Sequence, residues 1–281
     1  MSLYDDYHRF IKTHPIKKLR TLSYRYQGQG DETILLLLGG SMFPSEAYFR
    51  LILDLEEEAK VLTIIYPKDT LTIKEMVESI KELISSLDLK EIFLMGASHG
   101  GGIAQVFSKT YPSSVKGLIL YNTLTKTTNM SEHAASLIKD VLHAIDELKA
   151  LRDIMPLHVI KDALLGQIET MIDDPIDIEL FELLISRYDE HDEKTQMALI
   201  QDLLVNHTLS PDDFNPLDHK TLLFYAHDDD PFGGTDLIET LAELMPHPSL
   251  EFIDSDRFKL VIDPSPMTKS ILSFIKEKSA H

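Results

Sequence analysis

The chain has 281 residues, a net charge of −19, 43% hydrophobic residues and no cysteine. The charge argues against nucleic acid and anionic membrane as partners, because both repel it. The lack of cysteine excludes disulfides and thiolate chemistry and makes the cytoplasm the default compartment. No run of 18 apolar residues occurs, so no transmembrane helix is expected. The acidic start MSLYDDYHRF lacks the apolar stretch of a secretory signal.

Tyr4 to Thr13 reads as a short helix that ends before Pro15. Residues 18–26 alternate and predict an edge strand or hairpin, and Gln27-Gly-Gln-Gly30-Asp a turn. The unbroken apolar run Thr33–Leu38 predicts a strand buried on both faces, as in a parallel sheet. A helix follows over 45–58 with Ser45 as its N-cap, then a strand over 60–66. Ile73, Met76, Val77, Ile80, Leu83, Ile84 and Leu87 recur at helical spacing. Strands are predicted over 92–95 and 115–121, separated by a helix from Gly101 to about Lys109.

From Leu124 to about Asn215 the strand pattern stops. Helical runs fall near 131–151, 157–172, 176–188 and 194–206. This stretch holds 19 Asp and Glu against 7 Lys and Arg, which reads as a solvated outer face. The sheet pattern then resumes, with strands over 221–226 and 250–253 and helices over 235–245 and 267–278. The fold class is therefore α/β: a doubly wound, mostly parallel sheet with an all-helical insertion after the sixth strand. The expected division is a core of 1–123 and 216–281 and a helical cap of 124–215 over the carboxyl ends of the strands, where such sheets bind ligands.

The chemistry is concentrated at Gly96-Ala-Ser98-His-Gly100, between an apolar strand and a helix. A serine on a strained strand-to-helix turn holds its hydroxyl above the sheet. Glycines must flank it, because a Cβ there would strike neighbouring backbone. The backbone N–H of His99 is placed to face a developing oxyanion.

With this motif the chain resembles the α/β-hydrolases, and the run from Leu36 to Asn122 is most similar to maspardin-like proteins. The resemblance implies a Ser–Asp–His triad in that chain order. Ser98 takes the nucleophile place. Gly39-Gly40-Ser41 lies where the family has His-Gly-x, so the Ser41 N–H joins that of His99 as an oxyanion donor. The acid falls in Asp228-Asp229-Asp230; Ala226 at the family's Gly position selects Asp229, with its two neighbours as alternatives. The histidine place, seven residues before Pro264, is held by Arg257. Guanidinium cannot accept a proton from serine. His247 should lie at the far end of the 250–253 strand, and His281 ends the chain. His227 and His99 are the nearest substitute bases. Maspardin-like proteins, as the resemblance implies, also depart from His here and lack ordinary hydrolase chemistry. The expected function is hydrolysis of a small ester or acyl compound. The alternatives are ligand or partner binding without catalysis, and a different reaction with Arg257 holding an anion. No metal-ligand spacing and no phosphate loop occurs, so neither metal nor cofactor is expected.

Overall fold

Ser2 starts the first helix, α1 (Leu3–Thr13), by accepting a hydrogen bond from the Asp5 N–H. The predicted hairpin follows as β1 (Lys17–Leu19) and β2 (Leu22–Gly28), paired antiparallel. Strand β3 (Thr33–Leu37) is buried along its whole length, as its unbroken apolar run required. The single helix expected over 45–58 is instead a 3-10 turn, Ser45–Tyr48, leading into α2 (Phe49–Leu55). Pro44, at φ −68°, takes the extended cap position, so Ser45 is the first residue of the turn and not an N-cap. Next come β4 (Lys60–Ile65), α3 (Ile73–Ser86, capped by Thr72), β5 (Ile92–Ala97), α4 (His99–Thr110) and β6 (Val115–Tyr121).

The helical insertion comprises α5 (Glu132–Leu151), α6 (Leu157–Glu169), α7 (Pro175–Ser186) and α8 (Glu190–Asn206). A 3-10 segment, Pro211–Leu217, returns the chain to β7 (Thr221–Ala226). Helix α9 (Gly234–Leu244), β8 (Ser249–Ile253), a short α10 (Lys259–Ile262) and α11 (Ser265–Ser279) complete the sequence of elements. The computed structural model describes residues 2–38, 42–152, 154–226, 234–253 and 259–280. Among these no helix is long and apolar enough to cross a membrane.

The eight strands form one sheet in the order β1-β2-β4-β3-β5-β6-β7-β8. Strand β2 runs antiparallel to β1 and β4; every other pair is parallel. Side chains alternate between the two faces. In β3, Leu35 and Leu37 pack among residues of α3, α4 and α8, while Ile34 and Leu36 pack among those of α1, α2 and α11. Each such leucine, fully buried, contributes roughly 1.5–3 kcal/mol.

The insertion is fastened to the rest of the chain by polar ties as well as by apolar packing. The Ile73 N–H donates to Asp202 Oδ2 at 2.8 Å, and the Tyr4 N–H to Asp177 Oδ1 at 3.2 Å. Lys68 pairs with Asp189 and Asp192. Part of the negative charge that reads as a solvated face therefore bonds the insertion to the strands' helices and loops.

Candidate active site around Ser98

Ser98 stands between β5 and α4 with φ 52° and ψ −128°. A non-glycine residue at that conformation costs on the order of 1–3 kcal/mol and persists only where its surroundings fix it. Here four hydrogen bonds do so. The Ser98 N–H reaches Tyr121 O at 3.2 Å and Asn122 O at 3.1 Å, both at the end of β6. Ser98 O accepts from the Gly101 N–H at 3.0 Å and from the Thr123 hydroxyl at 2.7 Å. Strand β6 thus clamps the turn from the side.

Gly96 and Gly100 are steric necessities, because the atoms a Cβ would strike there are backbone. A Cβ on Gly96 would lie 2.5 Å from the Gly101 Cα and 2.6 Å from the Gly100 oxygen. On Gly100 it would overlap Leu37 O and stand 2.9 Å from the Tyr66 hydroxyl. On Gly101 it would overlap Thr123, and on Gly102 it would overlap Leu203 of α8. The sequence reading anticipated the first two clashes. The third and fourth explain why the glycine run continues into the helix: it lets β6 and the insertion approach α4.

His99 is the first residue of α4, so its N–H has no partner inside the helix. Its side chain is buried, and Nδ1 has no hydrogen-bond partner among the described residues. Its ring stands against that of Tyr66. Burial pushes the His99 pKa down from 6.5 to about 4.

Linkage then has a definite sign. The unfolded histidine binds a proton below about pH 6.5 and the folded one only near pH 4, so stability is full above the first value and falls as pH drops toward the second. His99→Asn should lose this component. Chemical unfolding of both proteins, above and within that window, should show the wild type declining by on the order of 3 kcal/mol more than the variant. Parallel decline would contradict the burial.

A cavity of about 300 Å³ lies between the insertion and the sheet. Phe43, Ile65, Tyr66, His99 and Leu199 give it an apolar wall, and Lys68, Arg187 and Asp192 are also on its lining. It meets the turn through His99; Ser98 is not among its lining residues. The Tyr66 and His99 rings stand 5.2 Å apart. The buried Tyr66 hydroxyl has no hydrogen-bond partner among the described residues. Burial holds it protonated, with its pKa well above the usual tyrosine value.

One side of this cavity rests on a charge cluster that the sequence reading missed. Glu46 accepts from Arg25 Nη2 at 3.0 Å and from the Tyr7 hydroxyl at 3.3 Å, and it pairs with Arg187 at the end of α7. Tyr7, Arg25 and Arg187 are far from Glu46 in sequence, so no motif signals the cluster.

Ser41, His227, Asp228, Asp229, Asp230 and Arg257 lie outside the described residues. Of the expected site, Ser98 and His99 are the members whose geometry is described. His247 precedes β8 and bonds Asp218 at 2.8 Å, at the end of the sheet opposite Ser98, where the sequence reading put it.

Residues 56–173 match the sequence model of the Ndr family. The match covers under half of the chain, from before β4 through the Ser98 turn to the end of α6. No curated protein sequence matches the chain. Among solved structures, a carboxylesterase of the ammonia-oxidizing thaumarchaeon Nitrososphaera gargenis superposes with a TM-score of 0.70 at 16% identity, over 95% of this chain and 99% of that one. A hydrolase from Pseudomonas aeruginosa PA01 gives 0.70 at 16% identity, over 94% and 99%. A thermophilic esterase from Thermogutta terrifontis gives 0.68 at 20% identity, over 92% and 93%. The chain has the α/β-hydrolase fold, with a helical insertion after β6. The narrower resemblance to maspardin-like proteins gains no specific support from these matches.

Proposed function

We propose that this chain is a serine hydrolase acting on a small ester or other acyl compound, with residues 124–215 serving as a cap over a core of 1–123 and 216–281. The observation that carries the reading is Ser98 held at φ 52° on a strand-to-helix turn, with an unbonded N–H position next to it. In this reading Ser98 Oγ attacks the acyl carbon, and the N–H groups of His99 and Ser41 stabilise the oxyanion. His227 takes the serine proton and returns it to the leaving group, and Asp229 orients that base. The cavity beside His99 receives an apolar part of the substrate, and the buried Tyr66 hydroxyl is available to donate to a polar atom on it.

A second reading has its own observation. Arg257 occupies the triad's histidine place in the sequence, and Nδ1 of the buried His99 has no hydrogen-bond partner among the described residues. Losing the base of a serine triad costs on the order of a million-fold in kcat. The same fold then serves as a binding protein for a small ligand or a partner. In that case Arg257 pairs with the aspartates at 228–230, and the pair fixes the loop.

Hydrolysis of short p-nitrophenyl esters separates the two. The first reading predicts turnover by wild type that Ser98→Ala removes. The second predicts no Ser98-dependent turnover in wild type. Arg257→His restores a base at the family position and should raise turnover in either case. No change in a well-folded Arg257→His protein would show that the acid or the oxyanion donors are not in place.

A further inference from the structure

The structure assigns a second site, unrelated to Ser98: we propose that Asp218, His219 and His247 bind a divalent transition-metal ion such as Zn2+. The three side chains come from two turns, one entering β7 and one entering β8. Their ligand atoms lie within 4.8 Å of one another. His247 Nδ1 is 2.8 Å from Asp218 Oδ1, and His219 Nε2 is 3.8 Å from the same oxygen. The two imidazoles stack nearly parallel, centroids 4.6 Å apart and planes 11° off.

The backbone holds this arrangement in place. The His219 N–H donates to Pro246 O at 3.2 Å, which ties the two turns together, and Lys220 N–H closes the first turn on Leu217 O at 2.8 Å. Both histidines occupy left-handed positions, φ 57° and 45°. The buried Leu217 and Met245 anchor the turns beneath.

Two imidazoles and one carboxylate suit Zn2+, Co2+, Ni2+ or Cu2+ and disfavour Ca2+ and Mg2+, which demand oxygen donors. Tetrahedral ligation at about 2.0–2.1 Å needs donor atoms about 3.3 Å apart. The observed spacing brackets that value, and all three side chains are exposed, so the two rings are free to turn out of their stack until their lone pairs converge on one ion. Water fills the remaining coordination position. The residues precede their strands, whereas Ser98 follows β5, so the ion lies at the opposite end of the parallel sheet and takes no part in acyl chemistry. Its role is to bind the turns before β7 and β8 together.

The test uses tag-free, chelator-treated protein and Zn2+ alone. Calorimetric titration should show one Zn2+ per chain, and Zn2+ should raise the unfolding temperature of the wild type. His219→Ala and His247→Ala should each weaken the dissociation constant by at least about tenfold and remove the temperature rise. Both positions are exposed, so circular dichroism should show the fold retained. Absence of Zn2+ binding by wild type would overturn the proposal. So would equal binding by the folded double variant His219→Ala/His247→Ala, because the ion would then sit on other side chains.

Discussion

Gly100→Ala is expected to prevent folding, whereas Gly166→Ala, the same chemical change, is expected to stabilise the protein. At Gly100 the new Cβ would overlap the Leu37 carbonyl oxygen and stand 2.8 Å from its carbon. These are backbone atoms of β3, buried at the centre of the sheet, and they cannot move without breaking the β3–β5 ladder. Relief requires α4 to leave the sheet, which exposes Ile103, Ala104 and Phe107. Losses beyond about 4–5 kcal/mol are the expected class for such forced overlap in a core, comparable with the whole stability of many domains. Gly166 lies inside α6, and a Cβ there meets nothing within 4 Å. Alanine reduces the chain's freedom when unfolded and favours helix by about 1 kcal/mol. Expression with denaturant titration reads both. Native-like stability of Gly100→Ala would contradict the packing described at the Ser98 turn.

Glu46→Ala should cost about 3–5 kcal/mol, the range for removing one partner of a buried ion pair. The Glu46 carboxylate is buried between Arg25, Arg187 and the Tyr7 hydroxyl, and only 10% of its side chain is exposed. Without it Arg25, itself 7% exposed at the side chain, keeps one bond to His14 O and loses its counter-charge. Arg187 sits 41% exposed and can turn to water. Arg187→Ala should therefore cost clearly less than Glu46→Ala, and Arg25→Ala should fall close to Glu46→Ala. The ordering matters more than the magnitudes. Equal costs at all three positions would show that the cluster does not act through burial. Because Arg187 ends α7 and Glu46 precedes α2, the cluster also fastens the insertion beside the cavity, and its loss should loosen ligand access there.

The contrast between these two sites explains what was legible in the sequence. The Ser98 turn is signalled locally, by an apolar strand, five residues with two glycines, and a helix, although the atoms that hold it, Leu37 O and residues 121–123, come from the neighbouring strands. The parallel sheet was legible for the same reason, since Ile34 to Leu37 and Ile92 to Met95 are runs too apolar for one solvated face. The Glu46 cluster joins residues 7, 25, 46 and 187, and the Asp218–His219–His247 group joins turns 28 residues apart. Nothing in local spacing marks either one; only the fold brings them together. The helix expected over 45–58 is shorter at both ends, because Pro44 fixes the cap and a tighter first turn follows, and the helix stops at Leu55. The short α10 and the 3-10 segment at 211–217 went unread, being too brief to show a period. Within the candidate site, the strained strand-to-helix turn at Ser98 is the part the structure describes as expected. The acid, the base and the Ser41 donor rest on the resemblance alone.

Labelling of the folded protein with a fluorophosphonate, read by intact mass, tests the central claim most directly. The reagent reacts with a serine whose hydroxyl is activated and whose oxyanion donors are in place. The proposed function predicts one adduct per chain, located by peptide mapping at Ser98, absent in Ser98→Ala and lost on unfolding before labelling. No adduct on folded wild type across the neutral pH range, or an adduct that persists in Ser98→Ala, would contradict it.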